Sequence, residues 1–489
     1  MTQLLVFETS FSGRKITFGR SLALVLISFV LSGCGILNMN IDTMHNQLSD
    51  TKETMTRASE TITKEHLPDG IFIGIALSGG GSRAANFSSA ILLELKKLGI
   101  LDKATAISSV SGSSLPAAYY GLYPERWDDI NHIRHQMAKD YEIRWIGRWF
   151  LPQNILLYWN TNFNRSDIMK EVLDSNLFDE KTFADIGNEK GQPRILINST
   201  TLSGGKTFVF SKEQFNELGS RIDTYPIANA VMASSAFPGA FHDMTLNDFS
   251  ISDKKHYQHV LDGGPSDNLG ITTLLNMVKP LYDATKKDQP KEQPCFLFVV
   301  DSYPYPKYPE HIHEADTRGP IDFIFDTNVA AASDSLLTVR RVDLLRNLNI
   351  DAKTSDIDPF KRNEEGKEIK LDDGNAIQCA VWHLSLQRLL SKNFASKKIK
   401  EDDKLNGKLR ESIDQVANVV NSIPTRYKLT GRDPNGKVKL SAGALQDYLF
   451  KAADYLVNSD NDNEGLIRDQ VCDWFKRKSK NSIICNTAP

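Results

Sequence analysis

Three runs stand out along the chain: apolar runs at residues 71–77 and 295–301, the latter ending in Asp301, and a short β-prone run at residues 105–110. Continuous apolar runs are typical of strands that are buried on both faces of a parallel sheet. Between the runs at 71–77 and 105–110, apolar residues recur at helical spacing over residues 84–98, and Gly99 stands where a helix would end. The order strand, glycine-rich turn, helix, strand predicts an α/β fold around a mostly parallel sheet.

Further elements follow from the same pattern. Residues 194–198 and 207–210 are β-prone runs on either side of a glycine pair and predict a hairpin. Residues 355–374 are charged and poor in apolar positions, which predicts a loop or flexible insert. Three more helices and one more strand are predicted: helices at 227–235, 329–348 and 445–456, and a strand at 378–386.

The pattern before residue 69 is different. A basic start precedes an apolar run over residues 21–31, which is too short to cross a bilayer, and Leu31-Ser32-Gly33-Cys34 follows. This arrangement predicts a secretory signal peptide over residues 1–33. The four residues ending in Cys34 resemble a bacterial lipobox, which implies that Cys34 is lipidated and begins the mature protein. The alternative is an ordinary signal peptide with an incidental cysteine.

Lipidation at Cys34 would make this an exported protein anchored to a bacterial membrane, because two or three acyl chains hold a protein stably. Gly35 stands where an inner-membrane retention signal would have aspartate, so the outer membrane is expected if the source is Gram-negative. Residues 34–68 are polar and lack apolar periodicity, which predicts a tether. The folded part is then divided into a core over 69–301 and a mostly helical extension with one or more strands over 302–489.

Composition narrows the function classes. The 489 residues are 40% hydrophobic and 24% charged, as in globular proteins, and the net charge of −3 gives no argument for nucleic-acid binding. The five cysteines are too few for a disulfide scaffold and are not spaced for zinc. His256 and His259 lack an evident third ligand, so neither a metal nor another cofactor is expected.

The cysteines beyond Cys34 fall into two pairs. Cys472 and Cys485 flank a short basic, polar loop, and in an exported protein they are predicted to form a disulfide. Two reduced cysteines in the same tail are the alternative. Cys295 and Cys379 lie in apolar strand runs and are predicted to be simply buried.

The β-prone run at residues 105–110 ends with Ser109-Val110 and continues into Ser111-Gly112-Ser113. A serine on a sharp strand-to-helix turn, with small residues two positions to either side, is typical of a nucleophile elbow. Both flanking glycines of the usual G-x-S-x-G pattern are serines here. Taken by itself, the stretch therefore favours the alternative, which is a buried strand that runs into a serine-rich turn.

The first run leads into Gly79, Gly80 and Gly81, directly before the predicted helix. Glycines at this position let backbone N–H groups approach an anion closely. Gly79-x-Gly81-x-x-Ala84 fits a dinucleotide fingerprint, but that motif needs an acidic residue at the end of the next strand, where Ser111 stands instead. An oxyanion hole is therefore favoured over a nucleotide site.

These two blocks together resemble the patatin-like phospholipase family, and the S-G-S context is similar to its cytosolic phospholipase A branch. The resemblance continues through Ala233–Phe241 and Tyr257–Gly270, where Asp262-Gly263-Gly264 matches the family's aspartate motif. It implies a three-layer α/β patatin-like fold, Ser111 as nucleophile and Asp262 as base, with no histidine. It also implies that Gly79–Gly81 form the oxyanion hole. Arg83 is expected to orient the glycine loop rather than to neutralise substrate phosphate.

Residues 141–160 hold three of the six tryptophans, including Trp145, Trp149 and Trp159, and two interleaved arginines. An acyl-chain groove or membrane-facing flap is one interpretation, since Trp and Tyr favour the lipid–water interface. An ordinary core segment packed over the sheet is the other, and it is slightly favoured. After residue 301 the family resemblance weakens, although Ile423-Pro424-Thr425 is similar to bacterial members.

The function predicted from the resemblance is a serine acyl hydrolase, of phospholipase A or lysophospholipase type, that acts on membrane lipids without a cofactor. The alternative is a non-catalytic lipid-binding or structural lipoprotein on the same scaffold, which the serines at positions 109 and 113 support. A nucleotide-dependent enzyme is a third hypothesis. The substrate head group, the ester position cleaved and the oligomeric state do not follow from the sequence.

Overall fold

The fold is described from a computed structural model of the chain. It describes the following residues: 41–49, 67, 70–187, 192–251, 254–282, 294–303, 327–348, 350, 367–370, 376–390, 403–458, 467–479 and 485. The signal peptide and Cys34 lie outside these residues. Among the described helices, none combines the length and the apolar character that a bilayer-spanning segment requires.

Eleven strands occur in the described part of the chain. They are β1 Gln47–Leu48, β2 Phe72–Leu77, β3 Ala106–Val110, β4 Arg194–Thr201, β5 Thr207–Phe210, β6 Ser220–Arg221, β7 Met244–Asp248, β8 His256–Asp262, β9 Cys295–Asp301, β10 Lys367–Lys370 and β11 Ala376–Ser385.

The helices alternate with these strands over the first 300 residues and dominate the last 170 or so. The first seven are α1 Gly81–Lys97, α2 Ser114–Leu122, α3 Ile130–Met137, α4 Tyr141–Trp149, α5 Pro152–Asn160, α6 Arg165–Leu173 and α7 Lys212–Glu217. The others are α8 Ile227–Ser234, α9 Gly264–Asp267, α10 Ile271–Val278, α11 Thr327–Asn347, α12 Asp403–Asn421, α13 Ala442–Val457 and α14 Ile467–Lys478.

Nine of the described strands form one sheet, in the order β10-β11-β9-β2-β3-β4-β8-β7, with β5 also paired to β4. The five central strands, from β11 to β4, run parallel, and the outer ones join antiparallel. The carboxyl ends of parallel strands meet at one edge, which is where ligands bind in open α/β sheets. The glycine loop after β2 and the serine after β3 lie at this edge.

Both faces of the sheet are covered. On β2, Ile73, Ile75 and Leu77 pack into one apolar core, and Phe72 and Ala76 pack into the other. The first core is completed by helices that include α1, α2, α6, α8, α12, α13 and α14, and the second by α10 and α11. This three-layer α/β arrangement explains why the strands are apolar at every position rather than at alternate ones, and it confirms the fold class expected from the sequence.

Most of the predicted elements are present, with one exception among the described residues. The insert predicted over residues 355–374 contains a strand, β10, which pairs with β11. The sequence Lys-Glu-Ile-Lys is mostly polar because β10 is the edge of the sheet, where charged residues are common.

The described residues of 302–489 pack on the core. Their strands β10 and β11 extend the central sheet beyond β9, and helix α13 packs on α1. Parallel pairing of β11 with β9 brings Cys379 beside Cys295, with 4.5 Å between their Cα atoms, and the two form a disulfide. The prediction that these cysteines are simply buried is therefore wrong, because it could not foresee which strands become neighbours. The structure also joins Cys472 to Cys485.

A tether is predicted over residues 34–68, but residues 41–49 of this range pack on the domain. Residues 47 and 48 pair with β6 as β1. The Asn46 side chain donates to Ser220 Oγ over 3.1 Å and to the Asn247 carbonyl over 2.9 Å. Residues 41–49 are thus part of the folded protein.

Candidate active site

Ser111 lies at the turn between β3 and α2. Its φ of +54° is in the left-handed region, which a residue with a side chain rarely adopts. The turn is crowded, because a Cβ atom on Gly112 would collide with the Gly81 carbonyl. A strained serine between a buried strand and a helix is the geometry of a nucleophile elbow, in which the turn projects the hydroxyl away from the strand.

Asp262 is the hydrogen-bond partner of this serine. Ser111 Oγ donates to Asp262 Oδ2 over 2.8 Å, although 151 residues separate the two. Sheet register explains the meeting, because Val110 pairs with Asn198 and Ser199 pairs with Asp262. Both side chains are buried, with 8% of Ser111 and 2% of Asp262 exposed.

Burial raises the pKa of Asp262 to about 6, from an ordinary value of 3.8. Two hydrogen bonds to the carboxylate oppose this shift: the Gly264 N–H donates to Oδ1 over 2.8 Å, and Ser111 donates to Oδ2. The carboxylate is therefore still largely ionised at neutral pH, yet it is a stronger base than an exposed aspartate.

The neighbouring serines have other partners. Ser109 Oγ donates to Ser114 Oγ and to the Leu196 carbonyl, over 3.2 and 3.3 Å. Ser113 Oγ donates to the Ser78 carbonyl over 2.6 Å, which ties the elbow to the glycine loop. The serines that replace the usual glycines thus brace the turn, and none of these hydroxyls reaches Asp262.

Ser234 at the end of α8 holds the elbow in place. Its Oγ accepts the Ser111 N–H over 2.9 Å and donates to the Asn198 carbonyl over 2.6 Å. Its own carbonyl accepts the Gly263 N–H over 3.2 Å. Ser234 belongs to the block Ala233–Phe241, but its role is not evident from the sequence, because each of its partners comes from a distant strand or turn.

The three glycines expected to form the oxyanion hole are not equivalent. The Gly79 N–H donates to the Asn268 carbonyl over 3.0 Å and is therefore occupied. Within the described residues, the N–H groups of Gly80 and Gly81 have no such partner. Both glycines have positive φ, +141° and +59°, which is a conformation that favours glycine. A Cβ atom on Gly79 would lie 3.2 Å from Ser111 Cβ, so the loop passes directly beside the nucleophile.

Arg83 packs against the glycine loop, with its Nη2 3.2 Å from the position that a Cβ atom on Gly80 would take. It is buried, and its Nε donates to the Ser302 carbonyl over 2.9 Å. Its other nitrogens bind the Ile423 carbonyl and Thr425 Oγ1. Arg83 therefore connects the helix after the glycine loop to β9 and to the C-terminal region, which is an orienting role.

The C-terminal region contributes directly to the wall of the site. The Ser82 N–H donates to the Arg426 carbonyl over 2.7 Å, and the Tyr427 hydroxyl donates to the Ser235 carbonyl. Burial, together with the nearby charge of Asp262, raises the pKa of Tyr427 well above its usual value. Similarity of residues 423–425 to bacterial family members was the only sequence sign of this contribution.

A buried charge cluster supports the glycine loop from behind. Asp301 Oδ2 accepts hydrogen bonds from Arg341 Nε and His383 Nε2, each over 2.9 Å. Burial opposes the charge of Asp301, but Arg341 and His383 hold its pKa below the ordinary range. The next residue, Ser302, donates its Oγ–H to the Gly79 carbonyl over 2.7 Å. None of these residues was singled out from the sequence, because β9, α11 and β11 meet only in the fold.

The two histidines considered for a metal lie on β8, three positions apart and so on opposite faces. His259 Nδ1 is 2.9 Å from Asp243 Oδ2 and 3.0 Å from Thr245 Oγ1. In the part of the chain that the structure describes, no group of three or more His, Cys, Asp or Glu residues is arranged to hold a metal ion.

Residues 141–160 form α4 and α5, which are partly buried and partly exposed. Tyr141 and Trp145 are buried in the core, whereas Ile143, Phe150 and Trp159 are exposed. The stretch is thus neither an ordinary core segment nor wholly a surface one.

Comparison with known proteins was made for the whole chain. Residues 75–275 match the family model described as "Patatin-like phospholipase". A 108-residue stretch is 33% identical to the cytosolic phospholipase A2 delta of Mus musculus, covering 21% of this chain and 12% of that protein. The chain therefore spans about an eighth of the length of this curated relative.

Among solved structures, human GIVD cytosolic phospholipase A2 aligns with a TM-score of 0.43 and 14% identity, over 85% of this chain and 61% of that one. VipD from Legionella pneumophila aligns with a TM-score of 0.25 and 14% identity, over 79% and 71% of the two chains. The family-model match includes the glycine loop, Ser111 and Asp262. The chain thus contains a patatin-like phospholipase domain over residues 75–275.

Proposed function

We propose that this protein is a lipid acyl hydrolase that cleaves fatty-acyl esters of phospholipids or lysophospholipids through a Ser111–Asp262 dyad. The observation that carries the proposal is the 2.8 Å hydrogen bond from Ser111 Oγ to Asp262 within a patatin-like phospholipase domain. An elbow serine, a base within hydrogen-bonding reach and a glycine loop beside them are the parts that acyl transfer requires.

In the first half of the reaction, Ser111 Oγ attacks the ester carbonyl carbon while its proton passes to Asp262 Oδ2. The tetrahedral oxyanion accepts hydrogen bonds from the N–H groups of Gly80 and Gly81, which have no backbone partner among the described residues. The intermediate collapses to an acyl-Ser111 ester, and the departing alcohol oxygen takes the proton from Asp262.

In the second half, Asp262 removes a proton from water, and the resulting hydroxide attacks the acyl-Ser111 carbonyl. The second tetrahedral intermediate expels Ser111 Oγ, which regains the proton from Asp262, and the fatty acid leaves. A base with a pKa of about 6 suits both transfers, because it is ionised at neutral pH and still able to hold a proton briefly.

The proposal also includes export and anchoring through Cys34. The two disulfides in the described residues, Cys295–Cys379 and Cys472–Cys485, support export because such bonds persist in oxidising compartments. Mass spectrometry of the membrane-extracted protein tests this part. A lipid-modified Cys34 at the mature N-terminus is expected, and an unmodified Cys34 in the mature chain contradicts it.

Hydrolysis of a defined panel of phospholipids and lysophospholipids tests the activity. Ser111→Ala and Asp262→Asn are each expected to lower turnover by about a thousandfold or more, as loss of a nucleophile or its base does in serine hydrolases. An alkyl fluorophosphonate should modify the wild-type protein at Ser111 and leave the Ser111→Ala variant unmodified. Both variants should retain the wild-type melting temperature within a few degrees.

The non-catalytic alternative makes the opposite prediction. If the wild-type protein binds the lipids but releases no fatty acid above the rate of the Ser111→Ala variant, the scaffold is a binding protein and the hydrolase proposal fails. Labelling of Ser109, Ser113 or Ser114 instead of Ser111 would move the nucleophile and contradict the mechanism.

A further inference from the structure

Six large apolar side chains on α4, on α5 and in the turn between them are exposed to solvent. The exposed fractions are 71% for Phe150, 64% for Leu156, 60% for Ile143 and 52% for Trp159. Ile146 and Leu151 complete the set with 39% each. A concentration of exposed apolar residues of this kind marks an interaction surface. The docking face is defined here as Ile143, Ile146, Phe150, Leu151, Leu156 and Trp159.

The docking face is a second apolar surface of α4, distinct from the one that packs on the domain. Tyr141 and Trp145, four positions apart, face the core and are buried. Ile143, Ile146 and Phe150, spaced by three and four positions, share a different face of the same helix. Because the core face already has its partners, the docking face is not needed to hold the helix on the domain.

The charge of this region complements an anionic lipid surface. Residues 141–160, which form α4, α5 and the turn between them, contain Glu142, Arg144 and Arg148 and so carry a net charge of +1 (2 − 1). Arg144 is exposed beside the docking face, while Arg148 is 3.5 Å from Glu171. Apolar and aromatic side chains with an arginine at their margin are typical of segments that lie in the lipid–water interface.

Ile41, at the start of the described N-terminal segment, lies next to the end of α5. The Ile41 N–H donates to Asn162 Oδ1 over 2.9 Å, and Asn162 Nδ2 donates to the Ile41 carbonyl over 3.0 Å. Asn162 is two residues beyond the end of α5. Cys34 is seven residues before Ile41 (41 − 34), so an extended chain from a lipid anchor at Cys34 spans at most about 25 Å. An anchor of that length holds this side of the domain near the membrane.

The core face of α4, opposite to the docking face, contacts the wall of the active site. The Trp145 ring centroid is 5.2 Å from that of Phe241, and the Phe241 centroid is 4.9 Å from that of Tyr427. Tyr427 is close enough to Asp262 for the carboxylate charge to affect its pKa. A row of aromatic rings therefore leads from the dyad to the helices that carry the docking face.

We propose that the docking face is the surface on which this protein lies against an anionic phospholipid membrane, with Phe150 and Trp159 inserted among the lipids. The role of this binding, which is to bring the dyad to lipid esters, rests on the proposed function. Binding itself does not require hydrolysis, so the two proposals can fail separately.

Vesicle binding by the full-length chain tests the inference. The background carries Cys34→Ser, which removes the anchor, and Ser111→Ala, which prevents hydrolysis. Sedimentation with vesicles of phosphatidylglycerol and phosphatidylethanolamine compares this protein with a Phe150→Ser/Trp159→Ser variant. A loss of about tenfold or more in apparent affinity is expected, because two large apolar side chains no longer leave water. Leu202→Ser, at a residue 55% exposed outside α4 and α5, is the matched control and should bind like the background.

Several results would overturn the inference. The first is equal binding by all three proteins, and the second is no binding by the background protein. The third is that the background protein does not bind vesicles but forms a concentration-dependent dimer, which the double substitution abolishes. The last result would assign the docking face to a second copy of this chain. If the double variant melts early, Arg144→Glu decides, since it alters an exposed charge only. It should weaken binding to anionic vesicles and not to zwitterionic ones, and an unchanged affinity for anionic vesicles would contradict the proposal.

Discussion

Ser111 and Asp262 illustrate how single residues are tuned by burial and backbone shape. The left-handed φ of Ser111 costs conformational energy, and the surrounding turn sustains it through the Ser234 hydrogen bond to the Ser111 N–H. Asp262 is destabilised in its charged form by burial, yet this same burial makes it a better base. Both residues therefore reduce stability in favour of chemistry, as catalytic groups often do.

The pH dependence of activity follows from the pKa of Asp262. The ionised carboxylate is the form that accepts the Ser111 proton, so kcat/KM should rise with pH and level off above an apparent pKa of about 6. Below that value the rate should fall about tenfold per pH unit. Measurement with a water-soluble ester between pH 4.5 and 8 checks this expectation, and a flat profile across pH 5 to 7 would contradict it.

Removal of the Asp262 charge should stabilise the protein. Because the folded-state pKa is raised from 3.8 to about 6, the unfolded chain ionises first, and stability falls as pH rises through this window. Asp262→Asn removes that loss, so at pH 7 its free energy of unfolding should exceed the wild-type value by on the order of 3 kcal/mol. Denaturant unfolding at pH 7 and pH 4 measures the effect.

The gain from Asp262→Asn should be much smaller at pH 4, where the wild-type carboxyl is protonated in the folded protein. The exposed Asp454→Asn serves as the control, with no comparable gain at either pH. Equal stability of wild type and Asp262→Asn at pH 7 would show that burial of this carboxylate is compensated elsewhere.

At the scale of elements, the site depends on where strands and helices end. Ser111, Asp262 and the glycine loop stand at the ends of β3, β8 and β2. Helix α8 ends at Ser234, whose hydroxyl binds the Ser111 N–H and the Asn198 carbonyl. The loop carrying Arg426 and Tyr427 then closes one side of the site. These ends are positioned by sheet pairing, so a change at one of them should alter the geometry of the dyad without unfolding the domain.

Ser234→Ala tests this dependence. It leaves the buried Ser111 N–H without its acceptor, which typically costs about 1–3 kcal/mol, and frees the elbow to relax. We expect kcat to fall by about tenfold or more, with a smaller change in KM. The matched control is Ser235→Ala, because Ser235 is equally buried and its hydroxyl has no hydrogen-bond partner among the described residues. Comparable kinetics for the two variants would argue against a positioning role for Ser234.

At the scale of the whole molecule, the C-terminal third completes the fold. Strands β10 and β11 extend the sheet, and His383 on β11 binds Asp301 at the end of β9 beside the glycine loop. The Cys295–Cys379 disulfide joins the same two strands across 84 residues of sequence. The patatin-like domain over residues 75–275 is therefore only part of the structure that holds the site together.

Removal of this disulfide should destabilise the protein without removing the dyad. Replacing both Cys295 and Cys379 by alanine is expected to lower the free energy of unfolding by about 2–4 kcal/mol, because the unfolded chain gains freedom. Thermal and denaturant unfolding measure the effect, and turnover of a soluble ester at 25 °C should remain within a few-fold of wild type. The same substitution at Cys472 and Cys485, only 13 residues apart, closes a shorter loop and should cost less.

The features of this protein that depend on local pattern can be predicted from its amino-acid sequence. Buried strands, the amphipathic helices after them and the small residues of the elbow and glycine loop all follow from apolar spacing and local backbone geometry. The resemblance carried by four short blocks then pointed to Ser111 and Asp262, which the structure places 2.8 Å apart.

The contacts between distant segments depend on the folded structure and are not predicted by local pattern. Asn268 binds the Gly79 N–H and so limits which glycine N–H groups remain available. The shape of the elbow depends on Ser234. The Cys295–Cys379 disulfide forms because β11 lies next to β9. Local pattern shows that a strand is buried but not which strand is its neighbour. Hydrogen bonding and sheet order are set by the packing of the whole chain, so the partners of these residues become evident only in the fold.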